Sequence, residues 1–352
     1  MKKIFAIISC ILSVGGVLYI TNDNPSYDYW SGEAVDSLVK VAESEIDGCL
    51  LKSDPGGCLN EVMVSLITRV GPASSWEGYR NVQSRSPQAS KNCHVPGHLS
   101  GVASFNESRS LTRSLNYLEP VCQGAYIHGV YEAWAHYVRD RDVNVDVGLF
   151  KNASKPCAVS ISYPGRFYCY EGVGHAVWML TGDMAKSFEV CGSFTSNDAR
   201  GGCVEGVVMQ RFLPLIDDDV FIAEGVENVS EGCKEFLPSW SMSSSEGEVL
   251  LTPYQLCRRS ASTLFIMDLG GVVGLDNIES ESELFIKRCE SLFDEKDFSS
   301  KADVSYCLDR AGWAYWYRSD AKLDVGRDLC EKYSVKLEGC IATLKETARE
   351  NS

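Results

Sequence analysis

The stretch Cys169-Tyr170-Glu171-Gly172-Val173-Gly174-His175-Ala176-Val177-Trp178 can be laid over Cys307-Leu308-Asp309-Arg310-Ala311-Gly312-Trp313-Ala314-Tyr315-Trp316. The cysteine, an acid at +2, a glycine at +5, an alanine at +7 and a tryptophan at +9 all coincide. The next cysteines agree too. Cys169, Cys191 and Cys203 are 22 and 12 apart, and Cys307, Cys330 and Cys340 are 23 and 10 apart. Cys203-Val204-Glu205 repeats the cysteine and the acid once more. Self-similarity on this scale marks stacked units, each burying its apolar face against the next. The shared residues read as scaffold. A helix is expected to begin near the cysteine, with the acid in its first turn at the positive end of the dipole. Small residues at +5 and +7 let a neighbouring helix approach, and the tryptophan supplies buried area. What varies is position +6, which is His128, His175, Met209 and Trp313.

Outward from that stretch, apolar residues recur at helical spacing over 34–46, 59–70, 121–138, 172–180, 204–213, 254–269, 283–293, 304–317 and 337–348. Residues 158–170 are the exception. There Val-Ser-Ile-Ser-Tyr alternates before Pro164-Gly165, which predicts a short hairpin or an extended loop. The clusters Asp54-Pro55-Gly56-Gly57 and Gly71-Pro72-Ala73-Ser74-Ser75 read as connections. The expected fold is mainly α: a disulfide-stapled array of stacked helix pairs, a short solenoid or a helical toroid, with little β. Residues 238–247, rich in Ser, read as a linker between a histidine-bearing domain (30–237) and a histidine-free helical repeat region (248–352).

Lys2 and Lys3 precede an uncharged apolar run over residues 4–20. This is the form of an export signal. The run is slightly short of the roughly 20 residues of a spanning helix, yet no small-residue cleavage site closes it. It reads as a membrane anchor with the bulk of the chain outside the cytoplasm. The alternative is a cleaved signal peptide and a secreted or periplasmic product. Of the 15 cysteines, Cys10 lies in the apolar run, and the other 14 are enough for seven disulfides in an oxidising compartment. No Cys-x-x-Cys occurs, which argues against a thioredoxin-like centre and a zinc ribbon. A formal charge of −15 disfavours nucleic acid as a partner. A protein partner is compatible with the sequence, and membrane contact is expected only through the anchor.

All five histidines, His94, His98, His128, His136 and His175, fall in the first half of the chain. His94 and His98 are four apart, which places both on one helix face with Pro96 in the first turn. His128, Glu132 and His136 are also spaced by four, a stripe that drifts about 40° per step. His136 reads as a residue of a solvated helix end. Glu171 and His175 repeat the spacing with the acid first. The expected site takes His94, His98, His128 and His175 as metal ligands or acid/base groups. Glu132 and Glu171 are its catalytic bases or orienting partners. Zinc or copper suits these donors. Met209 is expected in the core.

No nucleophile elbow, phosphate loop, dinucleotide fingerprint or zincin helix is present. The leading functional reading is an exported metal-binding helical protein, a metal-dependent enzyme among its forms. The alternative is a non-catalytic helical-repeat binding or scaffolding module, with Trp313, Tyr315, Trp316 and Tyr317 as an exposed aromatic anchor.

Overall fold

The computed structural model describes residues 34–86, 88–89, 92–117, 121–159, 163–212, 232–233, 242–243, 250–269, 278–293, 300–319 and 322–350. The N-terminal apolar run lies outside these residues, as does the linker except for residues 242–243. Among the described residues, no helix is long and apolar enough to cross a membrane.

The fold is mainly α. Helix α1 (Asp36–Leu50) buries Val39, Ala42, Ile46 and Cys49, the three-and-four spacing of one helical face. Helix α2 (Pro55–Val70) begins inside the first Gly/Pro cluster. The Asp54 carboxylate accepts a hydrogen bond from the Gly57 backbone N–H at 2.9 Å, and Pro55 takes the first helical position. Helix α3 (Pro72–Gln83) begins the same way, after Gly71 at φ 81°. Both clusters are therefore helix starts more than connections, because proline's fixed φ and missing N–H suit a first turn.

Helix α4 (His94–Ser108) is followed by a single turn, α5 (Leu111–Ser114). A 3₁₀ turn (Val121–Gly124) leads into α6 (Ala125–Arg139). Then come α7 (Val147–Ala153), a 3₁₀ turn (Lys155–Val159) and α8 (Tyr163–Thr181). The hairpin or loop expected over 158–170 is thus a correction. Residues 155–159 form the 3₁₀ turn, and from Tyr163 onward the chain is α-helix. Pro164 sits in the first turn of α8, where it supports a helix and does not break it.

Helices α9 (Met184–Gly192) and α10 (Asn197–Phe212) complete the histidine-bearing part. The only strand pairing among the described residues joins Met242–Ser243 to Leu250–Leu251. The rest is α11 (Pro253–Leu269), α12 (Ile278–Leu292), α13 (Ser300–Asp309), α14 (Ala311–Arg318), α15 (Leu323–Tyr333) and α16 (Leu337–Glu350). Residues 304–317, expected as one helix, are divided between α13 and α14 at Arg310.

Packing follows chain order. Helix α1 packs on α2 and α3, α2 on α4, α4 on α6, α6 on α8, and α8 on α10. Helix α10 then packs on α11, which touches α12 and α14, and α14 packs on α15 and α16. Among the described residues, seven disulfides join each cysteine to the next along the chain: Cys49–Cys58, Cys93–Cys122, Cys157–Cys169, Cys191–Cys203, Cys233–Cys257, Cys289–Cys307 and Cys330–Cys340. Seven bridges agree with an oxidising, exported setting.

The internal repeat has a direct counterpart in packing. A Cβ on Gly174 would land on the carbonyl oxygen of Cys203 in α10. A Cβ on Gly312, its aligned partner, would land on the carbonyl oxygen of Cys340 in α16. The two glycines do the same work against the aligned cysteine of the next helix pair. The expected helix start near the cysteine needs correcting. Cys169 and Cys203 lie well inside α8 and α10, so Glu171 and Glu205 are mid-helix and take no part in dipole compensation.

Candidate metal centre

Four helices deliver the candidate residues. Helix α4 carries His94 and His98, α6 carries His128 and Glu132, α8 carries Glu171 and His175, and α10 carries Gln210. The helices meet closely because the contact positions are glycines. Beside His98, a Cβ on Gly129 of α6 would overlap the His98 carbonyl, and one on Gly101 of α4 would overlap that of Tyr126. Between α8 and α10, Gly206 lies against the Glu171 carbonyl. His128 and His175 are immediate neighbours in sequence of Gly129 and Gly174, so the rings project where backbones touch. Gly124, at φ 73°, closes one side. A Cβ there would meet the Tyr168 side chain and come within 3.3 Å of His128 Nε2.

The imidazoles form a continuous strip. Ring centroids are 4.9 Å apart for His94–His98, 5.5 Å for His98–His128 and 4.9 Å for His128–His175. His128 and His175 are stacked. Burial deepens along the strip. His94, His98 and Glu132 are half-buried, whereas His128, Glu171 and His175 are 1%, 4% and 2% exposed. His136 lies apart from the strip, exposed in the last turn of α6 beside Arg139. The four-residue spacing explains this: the drift that keeps His128 inside carries His136 to solvent.

Three of the rings are anchored through Nδ1. His94 Nδ1 donates to the Cys122 carbonyl at 3.2 Å, and His98 Nδ1 pairs with Glu132 Oε2 at 3.1 Å. His175 Nδ1 lies 2.7 Å from Gln210 Oε1, with Glu132 Oε1 at 3.8 Å. Such partners fix a histidine's tautomer and leave Nε2 with its lone pair. The atoms left over converge. His128 Nε2 is 3.5 Å from Glu171 Oε2, and His128 Nε2, Glu171 Oε2 and His175 Nε2 are all buried without a hydrogen-bond partner. Two sets of ligand atoms lie within 4.8 Å of one another: His94, His98 and His128, and His128, Glu171 and His175.

The charge states follow from burial. Removal from water pushes His128 down to about 3, and the His98 charge adds to this; Glu132 and a backbone contact from Tyr168 work the other way. That contact does not reach hydrogen-bond geometry. Burial likewise takes His175 down to about 4, and His94 lies well below its ordinary range. Burial alone would raise Glu132, but the His98 hydrogen bond and the neighbouring rings outweigh it and hold the carboxyl at about 2. Glu171, fully desolvated, is pushed up to about 7 despite His175. At neutral pH the His94, His128 and His175 rings are uncharged and ready to donate lone pairs. Glu132 is an anion and Glu171 is poised between its two forms.

A second polar layer lies behind Glu171. Glu205 Oε1 accepts from Thr263 Oγ1 of α11 at 3.0 Å. Its carboxyl is also pushed up to about 7, by burial first and then by the charge of Glu171. Arg310, bonded to Tyr306, faces both carboxyls and moderates them.

Sequence reasoning missed Gln210, the Cys122 carbonyl and Tyr168 as supports. A lone glutamine, a peptide carbonyl and an aromatic carry no spacing signal of their own. Met209 lies in the core at 6% exposure, as expected. Of the residues expected as an exposed aromatic anchor, Tyr315 and Trp316 are instead buried at 1% and 7% exposure and Trp313 is half-buried, while the Tyr317 side chain lies outside the described residues. Helix α14 turns these rings onto its neighbours instead of toward solvent.

Comparison of the chain with protein-family models, curated proteins and solved structures finds no significant match in any of the three.

Proposed function

We propose that this chain is an exported protein that binds transition metal with donors drawn from His94, His98, His128 and His175, with zinc or copper the ions those donors suit. One observation carries the reading. His128 Nε2, His175 Nε2 and Glu171 Oε2 lie in one buried cluster of ligand groups, and none has a hydrogen-bond partner. A buried polar atom without a partner costs about 1–3 kcal/mol, and three in one place are not tolerated without a reason. A cation shared among them supplies that reason. Metal bonds near 2 Å set tetrahedral ligand atoms roughly 3.3 Å apart, close to the 3.5 Å between His128 Nε2 and Glu171 Oε2. Nitrogen and carboxylate donors without thiolate suit zinc, and copper(II) binds imidazole at least as strongly.

The carboxylates take different roles. Glu132, already anionic and bonded to His98, orients that ring and neutralises the cation's charge. Glu171 serves as an oxygen donor or as the acid/base group beside the ion. A set of imidazoles with one carboxylate and no thiolate is the donor pattern of a catalytic site more than a structural one. On that basis the protein is a metal-dependent enzyme acting outside the cytoplasm.

Elemental analysis of the purified ectodomain tests the reading. Near-stoichiometric zinc or copper is expected. His128→Ala and His175→Ala should each lose metal while far-UV circular dichroism stays that of the parent, since seven disulfides hold the helices. Unchanged metal content in both variants, or none in the parent after zinc or copper is supplied, sinks the proposal and leaves a helical binding module.

A further inference from the structure

One ion does not account for every donor in the strip. The ligand atoms fall into two compact sets whose only common member is His128, and no single set contains all five residues. An ion with bonds of about 2.1 Å cannot reach donors more than about 4.2 Å apart. The outer set, His94 and His98 with His128, and the inner set, Glu171 and His175 with His128, therefore define two positions.

His128 differs from its neighbours in the way this requires. His94, His98 and His175 each commit Nδ1 to a protein acceptor. A ligating histidine almost always does so. His128 is the exception. Both of its ring nitrogens are buried and neither meets hydrogen-bond geometry: Nε2 faces Glu171 Oε2 at 3.5 Å, and Tyr168 offers only a looser backbone contact. A single ion on one nitrogen would leave the other stranded in a site 1% exposed.

We propose that the centre holds two metal ions, one in each set, with the His128 ring bound on both nitrogens as the bridge between them. The inference rests on the metal-binding reading above. Binding the second ion displaces the remaining ring N–H proton to solvent, so the bridge is an imidazolate and its negative charge offsets part of the added cation. The ions then sit roughly 6 Å apart, the width of the ring plus two bonds. The gradient in exposure assigns the order. The outer position, lined by half-buried His94 and His98, faces solvent and loads by exchange, whereas the inner position is closed in by α8 and α10.

The test uses the chain stripped with chelator, reloaded with zinc alone or copper(II) alone, and freed of excess ion by gel filtration. Two ions per chain are expected. His94→Ala and Glu171→Ala should each retain one, since each removes a donor unique to one position. In the copper-loaded parent, two ions coupled through the ring should suppress the electron paramagnetic resonance signal, and His94→Ala should restore an isolated-copper signal. One ion in the parent overturns the bridge and leaves the metal-binding reading intact, whereas none overturns both. Two ions retained in both variants also overturns the bridge, because the second ion would then lie elsewhere.

Discussion

His128 pays for its position in a measurable way when no metal is present. Its unfolded-state pKa is near 6.5, while burial, helped by the His98 charge, holds the folded ring at about 3. Between those values the unfolded chain binds a proton that the folded ring refuses, so stability falls as pH falls below about 6.5. From pH 7.5 to 5.0 this ring alone costs about 2 kcal/mol. Glu171 acts in the opposite sense. Its carboxyl is raised to about 7, so the folded state holds a proton that the unfolded chain gives up above about 4.5, and this contribution is lost as pH rises through that window. Denaturant titrations of chelator-stripped protein at both pH values should show a smaller loss at pH 5.0 for His128→Phe than for the parent, and a larger loss for Glu171→Gln. Parallel behaviour of all three proteins would show that neither group is desolvated in the fold. Much of this centre was legible in the sequence. The clustering of His94, His98, His128 and His175 and the four-residue spacings to Glu132 and Glu171 are properties of residue type and helix geometry. The pairing of His175 with Gln210, 35 residues apart, depends on how α8 crosses α10 and has no trace in either segment alone.

Helix crossings are where the legibility of elements divides. Helices α1 and α2 bury aliphatic residues at helical spacing and are visible as such. Helix α4 inverts the rule: apart from Phe105 near its end it buries Pro96, Gly97, Ser100, Gly101 and Ser104, and it exposes Val95 and Leu99 at 56% and 40%. A contact face built of glycine and serine is invisible to apolar periodicity. Helix α3 is a mixed case, burying Ser74, Ser75 and Gly78 beside Trp76, Tyr79 and Val82. The reason is the distance of approach. A Cβ on Gly101, Gly129, Gly174 or Gly206 would strike a backbone atom of the facing helix, and backbone cannot step aside as a side chain can. Gly206→Ala should therefore destabilise the protein by about 3 kcal/mol and, by parting α10 from Glu171, weaken metal binding as well. Gly48→Ala is the control. Nothing lies within 4 Å of that position, and the residue is inside α1, so alanine should stabilise by about 1 kcal/mol and leave metal binding unchanged. Equal effects at the two sites would show that helix propensity, not backbone approach, governs these glycines.

At the scale of the whole molecule, the disulfides turn a succession of helices into one frame. Each bridge closes a loop between consecutive cysteines, with sequence separations from 9 for Cys49–Cys58 to 29 for Cys93–Cys122. Loops of this size each restrict the unfolded chain by about 3 kcal/mol in the chain-entropy account. The parity of the 14 cysteines beyond the apolar run anticipates seven bridges, but not which cysteine meets which, because pairing is fixed by the order in which helices pack. That order gives the bridges unequal bearing on function. Cys330–Cys340 ties α15 to α16, far along the chain from any histidine. Cys93–Cys122 stands at the centre itself: Cys93 caps α4 immediately before His94, and the Cys122 carbonyl is the acceptor that orients the His94 ring. Replacing both cysteines of a pair by serine separates stability from site geometry. The Cys330/Cys340 double variant should lose about 3 kcal/mol of stability and retain the parent's metal affinity. The Cys93/Cys122 double variant should lose a similar amount of stability, and its metal affinity should fall by about tenfold or more, the usual effect of releasing a ligand's orienting partner. Competition against a chromophoric chelator measures the affinity, and denaturant unfolding measures the stability. If both double variants bind metal as the parent does, His94 is not held in place by this bridge, and the outer end of the histidine strip is not a ligand position.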